Sequence, residues 1–461
     1  MSSLPAPLIR SLRNLKNFNE ENFISVHEQG GQVTSVRLNP EKFNIQHSVF
    51  NMEGAVPWTS NGFYLTERPS FTLDPLFHAG AYYVQEASSM FLEEAMKQTV
   101  DLSQPVKVLD LCAAPGGKST LIQSLISKES LLVSNEVIKA RVNILCENIT
   151  KWGAANVIVT NNDPKDLQRL ESYFDVIVVD APCSGSGLFR KDPGAISEWS
   201  ENNVQLCAQR QQRILADVMP ALKEGGILLY STCSYSQQED EEIADWLTGE
   251  LKAESIKLKL KENWGIVETV SAKYNSSGYR FYPDQVKGEG FFIAAFKKKR
   301  SGERAHEIKK QKSKGNRAGA MITAKDIEIV KPYLVNAQEY FFIRQNEEVI
   351  AMPVYLEQDL AILQSALYIK KAGVKLGTLI RDELVPAHEL ALSLIISPSV
   401  ARYDTDKQSA LQYLRKEEIR IPVTAKGWML VTHQQLPLGW IKAVTNRINN
   451  YYPSAWRILN K

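Results

Sequence analysis

The amino-acid sequence predicts an α/β fold: a doubly wound, mostly parallel sheet in mid-chain, with an α+β region before it and a further β-rich region after it. Three observations carry that prediction. Between Pro105 and Lys299, short apolar runs alternate with helical stretches. Residues able to carry chemistry fall at the ends of those runs, where an open parallel sheet binds its ligands. A strongly basic stretch then separates this region from the rest of the chain.

The elements follow in order. Residues 1–104 mix short apolar runs, turn residues and aromatics, the pattern of a small α+β region. Within 105–299, VKVLDLC (Val106–Cys112), SLLVSNE (Ser130–Glu136), NVIVT (Asn156–Thr160), FDVIVVD (Phe174–Asp180) and GILLYSTC (Gly226–Cys233) read as strands. Nearly continuous apolar runs of this kind belong to strands buried on both faces. Ser119–Ser127, Val137–Trp152 and Ser197–Leu222 have helical character and supply the covering layers. FFIAAFKKK (Phe291–Lys299) reads as a last strand, closing a hairpin with the aromatic segment near Tyr279–Tyr282. Residues 300–319 form a basic linker. Residues 320–461 make a third region of short strands, Gly and Pro turns, and a tail rich in Trp and Tyr.

Composition bounds the function. The 461 residues exceed one ordinary core, and 44% hydrophobic with 23% charged is a globular balance. No apolar run approaches the roughly 20 residues that a bilayer span needs. Met1–Arg10 lacks the apolar core of a secretory signal, so a cytoplasmic location without membrane contact is expected. The five cysteines, Cys112, Cys146, Cys183, Cys207 and Cys233, are odd in number and scattered, with no CxxC pair. Neither a disulfide framework nor a metal site is expected. The net charge of +2 conceals a local excess: Lys297–Arg317 holds ten Lys/Arg and two Glu, leaving −6 on the other residues. Such a stretch is either a solvated linker or one that also holds RNA phosphates.

The strand ends give a short inventory. The first, ending in Asp110, runs into Cys112-Ala113-Ala114-Pro115-Gly116-Gly117-Lys118, a tight turn where a ligand can approach backbone. Gly117-Lys118-Ser119 imitates the tail of a phosphate-binding P-loop, but Cys112 stands where that motif needs glycine, and GxGxxG is absent. The second strand ends in Glu136, suited to the hydroxyls of a ribose, and the third is followed by Asp163, suited to an adenine amino group. Together they describe a site for an adenosine without phosphates, which fits S-adenosylmethionine better than ATP.

The fourth and fifth runs end in Asp180-Ala181-Pro182-Cys183 and Ser231-Thr232-Cys233, so two cysteines face one crevice. Cys146 and Cys207, inside helical stretches, read as small buried hydrophobes. Methylating C5 of a pyrimidine requires a thiolate to add at C6, which makes C5 nucleophilic. It also requires a partner for proton transfer and a carboxylate for the amino/N3 edge. Cys233, Cys183 and Asp180 suit those three roles. A thiolate near neutral pH needs a lowered pKa, and Lys118, Arg190 and Lys191 are the cations nearby in sequence.

At these residues the chain resembles the Sun-type family of RNA cytosine-C5 methyltransferases. The shared motifs are DLCAAPGGKS (Asp110–Ser119), the Glu136 and Asp163 positions, DAPCSGSGLFRKDP (Asp180–Pro193) and YSTCS (Tyr230–Ser234), with YYVQEASSM (Tyr82–Met90) upstream. The resemblance implies a class I methyltransferase fold, S-adenosylmethionine as methyl donor, and attack on the base by Cys233, with Cys183 assisting breakdown of the adduct. DNA cytosine methyltransferases attack with the other cysteine, so these roles rest on the resemblance and not on spacing. GWMLVTHQQLPLGWIKAVTNRINNYYP (Gly427–Pro453) is similar to the C-terminal end of bacterial small-subunit rRNA methyltransferases of the F type, which carry a PUA-like RNA-binding module. That implies 16S rRNA or the small ribosomal subunit as partner, and a monomer is expected. Independently, Ile419–Lys461 holds six Lys/Arg and no acid, interleaved with Trp428, Trp440, Tyr451, Tyr452 and Trp456. That mixture suits phosphate contact with base stacking, or else an aromatic core under a basic face. Alternatives are a tRNA substrate, a non-catalytic rRNA-binding assembly factor, and a methyltransferase of small molecules or proteins. The paired cysteines count against the last two.

Overall fold

The computed structural model describes residues 4–43, 51–300, 320–419, 426–445 and 447–459. Its centre is a ten-stranded sheet. In chain order the strands are β1 (Lys107–Asp110), β2 (Leu131–Asn135), β3 (Val157–Thr160), β4 (Phe174–Asp180), β5 (Leu222–Thr232), β6 (Glu254–Ile256), β7 (Val267–Val270), β8 (Ser277–Phe281), β9 (Phe291–Lys297) and β10 (Ile369–Ala372). They lie in the order β7-β8-β9-β5-β4-β1-β2-β3-β10, with β6 added to β9. The middle five strands pair in parallel. The flanking strands are antiparallel, including the foreseen β8–β9 hairpin.

The period of two along these strands explains the layers. Val108, Val176 and Leu229 enter one core, while their chain neighbours Leu109, Ile177 and Leu228 enter the other. With both faces apolar, helices must cover both. Those over Gly117–Leu125, Lys139–Trp152 and Glu201–Val218 do so. The first begins two residues before its expected start, because Gly116 takes a left-handed φ of +115° and leaves Gly117 as the first helical residue. The expected Ser197–Leu222 helix is broken at Trp199–Ser200, where Ser200 Oγ accepts the Asn203 amide at 3.1 Å and starts a new helix.

Residues before β1 form the expected α+β region, with helices Ala6–Leu12 and Glu20–Gln29 and a four-stranded antiparallel sheet. It shares its core with the centre. Leu8, Leu12 and Phe23 pack with Phe189, Tyr235 and Tyr282, and Trp58 and Met90 join the first central core.

After residue 320 the chain builds two sheets, one of five strands between Ala320 and Pro386 and one of four between Arg402 and Asn450. Within the first, the chain leaves to lay helix Glu357–Ala366 over the central sheet and to add β10 beside β3. Leu360 and Leu363 are buried in the second central core. Asn162 brackets the incoming backbone, accepting the Tyr368 amide at 2.9 Å and donating to the Tyr368 carbonyl at 3.0 Å. Lys42 donates to the carbonyls of Ala79, Lys151 and Leu392, one from each of the three regions. Of the basic linker, 301–319 lies outside the described residues. At its edge Lys298 donates to the Met219 and Leu222 carbonyls, which engages two of its three N–H groups. No helix among the described residues is long and apolar enough to cross a membrane.

Candidate active site

The carboxyl ends of β1 to β5 lie side by side along one edge of the central sheet. At β1, Asp110 is fully buried, and Oδ2 accepts the Ser119 hydroxyl at 2.6 Å. Its Oδ1 has no partner. Burial pushes this carboxyl up to about 7. The loop that follows passes through a cis Ala114–Pro115 bond, and the Ala113 amide donates to the Asn135 carbonyl at the end of β2 at 2.8 Å. Cys112 is partly buried, and burial pushes its thiol well up.

At β2, the Glu136 carboxylate is 2% exposed. It accepts the Ala114 amide at 3.3 Å and the Ile138 amide at 2.8 Å, with Arg141 at 3.5 Å. It therefore links the loop after β1 to the end of β2. At β3, Asn135 Oδ1 accepts the Thr160 hydroxyl and the Asn162 amide, tying the two strand ends together. Asp163 is half-buried and caps the turn Pro164–Arg169, accepting the Lys165 amide at 3.2 Å.

An adenosyl group with an amino-acid tail fits these residues. Ala113 and Ala114 have small side chains and Gly116 none, the orphaned Asp110 Oδ1 and the Glu136 carboxylate are acceptors, and Arg141 is already paired. A triphosphate would face carboxylates instead of cations.

The ends of β4 and β5 hold the reactive groups. Cys183 Sγ lies 2.9 Å from Cys233 Sγ, both partly exposed and both free thiols. Asp180 Oδ2 pairs with Lys118 Nζ at 2.7 Å, and Asp180 Oδ1 accepts the Ser231 hydroxyl at 2.9 Å. The Lys118 ammonium also lies 5.2 Å from the centre of the Phe291 ring. Burial alone would lower the Lys118 pKa, but the adjacent Asp180 carboxylate overrides it and the value is raised. Lys118 thus stays cationic, and its charge acts on Cys233.

The Cys183 thiol is pushed well up, first by its hydrogen bond to Cys233, then by burial and by the negative charges of Cys233 and Glu239. Ionisation of the Cys183 thiol is therefore disfavoured. Arg190 and Lys191 are not the neighbouring cations that the sequence suggested. Arg190 donates to the Gly31 and Gly288 carbonyls and faces Glu289 at 3.8 Å, while the Lys191 side chain is exposed. Of the three expected cations, Lys118 is the one whose charge couples to a thiol, that of Cys233.

Sequence reasoning missed Glu239. This buried carboxylate accepts the Ser184 amide (2.7 Å), the Ser184 hydroxyl (2.5 Å), the Ser234 hydroxyl (2.6 Å) and the Gln211 amide (3.3 Å). Next to it, Thr232 Oγ1 donates to Asp240 at 2.6 Å, and Arg280 meets both Asp240 and Glu241. The one signal was the run Glu239-Asp240-Glu241 so soon after a buried strand.

The aromatic tail divides. Trp440 and Tyr452 are core residues, 0% and 1% exposed. Tyr451 is exposed and meets Trp428 edge-on at 4.5 Å, with Lys442 Nζ 5.0 Å from the Trp428 ring. Trp456 is also partly exposed, beside exposed Arg457, and Lys442 pairs with Glu383 at 2.8 Å as well.

Three family models match this chain: 16S rRNA methyltransferase RsmB/F over residues 97–297, the N-terminal domain of 16S rRNA methyltransferase RsmF over 4–87, and the methyltransferase RsmF PUA domain over 400–458. A Vibrio parahaemolyticus protein named ribosomal RNA small subunit methyltransferase F is 30% identical over 462 residues, covering 95% of this chain and 94% of that one. One of the same name from Pectobacterium atrosepticum is 28% identical, covering 98% and 95%. A solved structure described as a methyltransferase homolog protein from Pyrococcus horikoshii matches with a TM-score of 0.52 at 28% identity, over 64% of this chain and 100% of that one.

Proposed function

The chain belongs to the 16S rRNA methyltransferase RsmB/F family, and from that premise we propose that it methylates C5 of a cytosine in 16S rRNA through a covalent Cys233–C6 adduct. The class I methyltransferase fold and the C-terminal PUA domain are those of the family. The observation that carries the mechanism is the contact of two thiols at neighbouring strand ends, 2.9 Å apart, beside the Lys118–Asp180 pair.

S-adenosylmethionine, when bound, supplies an electrophilic methyl group. Its holders would be the loop Cys112–Lys118 with Asp110 at the amino-acid end, Glu136 at the ribose and Asp163 at the adenine. Asp180, partly exposed, accepts from the cytosine amino group, and Lys118 orients Asp180. Cys233 adds to C6 as thiolate, forming the S–C6 bond and moving the electron pair to C5, which then takes the methyl. Cys183, after losing its own proton to solvent, takes the C5 proton; the freed pair restores the C5–C6 double bond and expels Cys233 as thiolate. One proton is released per turnover. The target base must leave its stack to meet the crevice, which favours loops and opened helices.

The test is a denaturing gel of each cysteine variant with 16S rRNA and the methyl donor. Cys233→Ala gives neither methylated RNA nor adduct, whereas Cys183→Ala methylates once and stalls as a slow-migrating adduct. An adduct from Cys233→Ala and none from Cys183→Ala would exchange the two roles.

A further inference from the structure

We infer that Glu239 is the positioning residue of the two-thiol pair: its buried carboxylate binds the residue directly after each cysteine and so holds the two loops at the spacing where the sulfurs touch. Its importance for turnover rests on the two-cysteine reading above; its structural role does not.

The geometry is specific. Ser184 follows Cys183, and Ser234 follows Cys233. Glu239 Oε2 accepts both serine hydroxyls, at 2.5 and 2.6 Å, so one oxygen atom bridges the ends of β4 and β5. Oε1 accepts the Ser184 backbone amide and Gln211 Nε2. Gln211 in turn donates to the Pro182 carbonyl at 3.1 Å, so the Pro182-Cys183-Ser184 turn is held from both sides. Glu239 is anchored through its own carbonyl, which accepts the Tyr230 hydroxyl at 2.6 Å. No cation pairs with this carboxylate among the described residues. Burial raises its pKa, but four donors oppose that shift, and four donors on two oxygens are what an ionised carboxylate satisfies.

The charge has a second effect. It acts on Cys183 and not symmetrically on both thiols, since Lys118 stands on the Cys233 side. Glu239 therefore fixes the contact, and its charge adds to what raises the Cys183 thiol.

Two variants separate position from charge. In Glu239→Gln the amide nitrogen can donate to the Ser184 and Ser234 hydroxyls, which rotate to accept, while the amide oxygen keeps the Ser184 N–H. The loops stay in place and the charge is lost. Glu239→Ala removes both. The readout is alkylation of Cys183 and Cys233 by iodoacetamide across pH, each followed by mass spectrometry in the full-length protein, with calorimetric S-adenosylmethionine binding as the control for an intact fold. In Glu239→Gln, Cys183 should react at lower pH than in the wild type with the cofactor affinity unchanged. In Glu239→Ala the two thiols should titrate independently, and kcat should fall about a hundredfold, the scale of an ångström-level misplacement. A folded Glu239→Ala protein whose two thiols keep the wild-type profiles overturns the inference, and where that variant fails to fold, Ser184→Ala, which removes one of the two bridged hydroxyls, decides in the same way. Because alkylation needs no RNA, failure of the methylation reading would leave this result standing.

Discussion

At the residue scale, the site divides into groups whose chemistry a sequence displays and groups whose chemistry depends on partners. Cys183, Cys233 and Asp180 are legible because strand ends in a parallel sheet converge and thiols are rare. Glu239 is not: an acid in an acidic run reads as a solvated face until the serines of two other loops are seen to close on it. Glu136 carries the first prediction. Its buried carboxylate is the one acid at the end of β2, so Glu136→Ala should weaken S-adenosylmethionine binding by about 1–3 kcal/mol, the scale of hydrogen bonds to a charged group. Isothermal calorimetry with an unchanged affinity would remove it from the ribose site. Asp110 carries a pH prediction. Its folded pKa of about 7 lies above the ordinary 3.8, so the native state holds a proton that the unfolded chain releases. Its contribution is fully present below the unfolded value and is lost as pH rises towards 7. Without cofactor, Asp110→Asn should therefore raise the melting temperature more at pH 8 than at pH 5. An equal effect at both pH values would show that this carboxyl ionises normally.

At the element scale, the middle strands and their helices were legible because apolar periodicity is strong where both faces are buried. β10 was not. Ile369–Ala372 is a four-residue segment with two lysines, the composition of an edge strand, and its apolar signal is weak. The region after 320 likewise reads as separate because nothing local in helix Glu357–Ala366 reveals which core it completes. Leu363 tests that assignment. It is 0% exposed and packs in the same core as β4, so Leu363→Ala should cost about 2–5 kcal/mol. Hydrogen exchange should report the loss in β4 as well as in the helix. A loss confined to residues after 320 would contradict the shared core.

At the scale of the whole molecule, three regions are joined by shared cores and by Lys42, while the basic and aromatic surface for RNA is reduced to fewer groups than composition suggested. Burial decides this: Trp440 and Tyr452 are interior, while Trp428, Tyr451 and Trp456 stay at least partly exposed, with Lys442 lying against Trp428 and pairing with Glu383. Binding of 16S rRNA should weaken steeply with salt, and Lys442→Ala should make the log–log salt slope shallower by about 0.7–0.9, one phosphate contact. Filter binding across a salt series in which the slope is unchanged would exclude Lys442 from the interface. The pairing of β10 with β3 has a consequence for synthesis. Asn162 and Tyr368 are 206 residues apart in the chain. While the ribosome makes that intervening length, the outer edge of β3 has finished its own strand but not met its partner, and its backbone N–H and C=O groups are open to any extended segment nearby. The central sheet is therefore completed only late in translation, after the strand ends that carry Cys183 and Cys233 have already emerged.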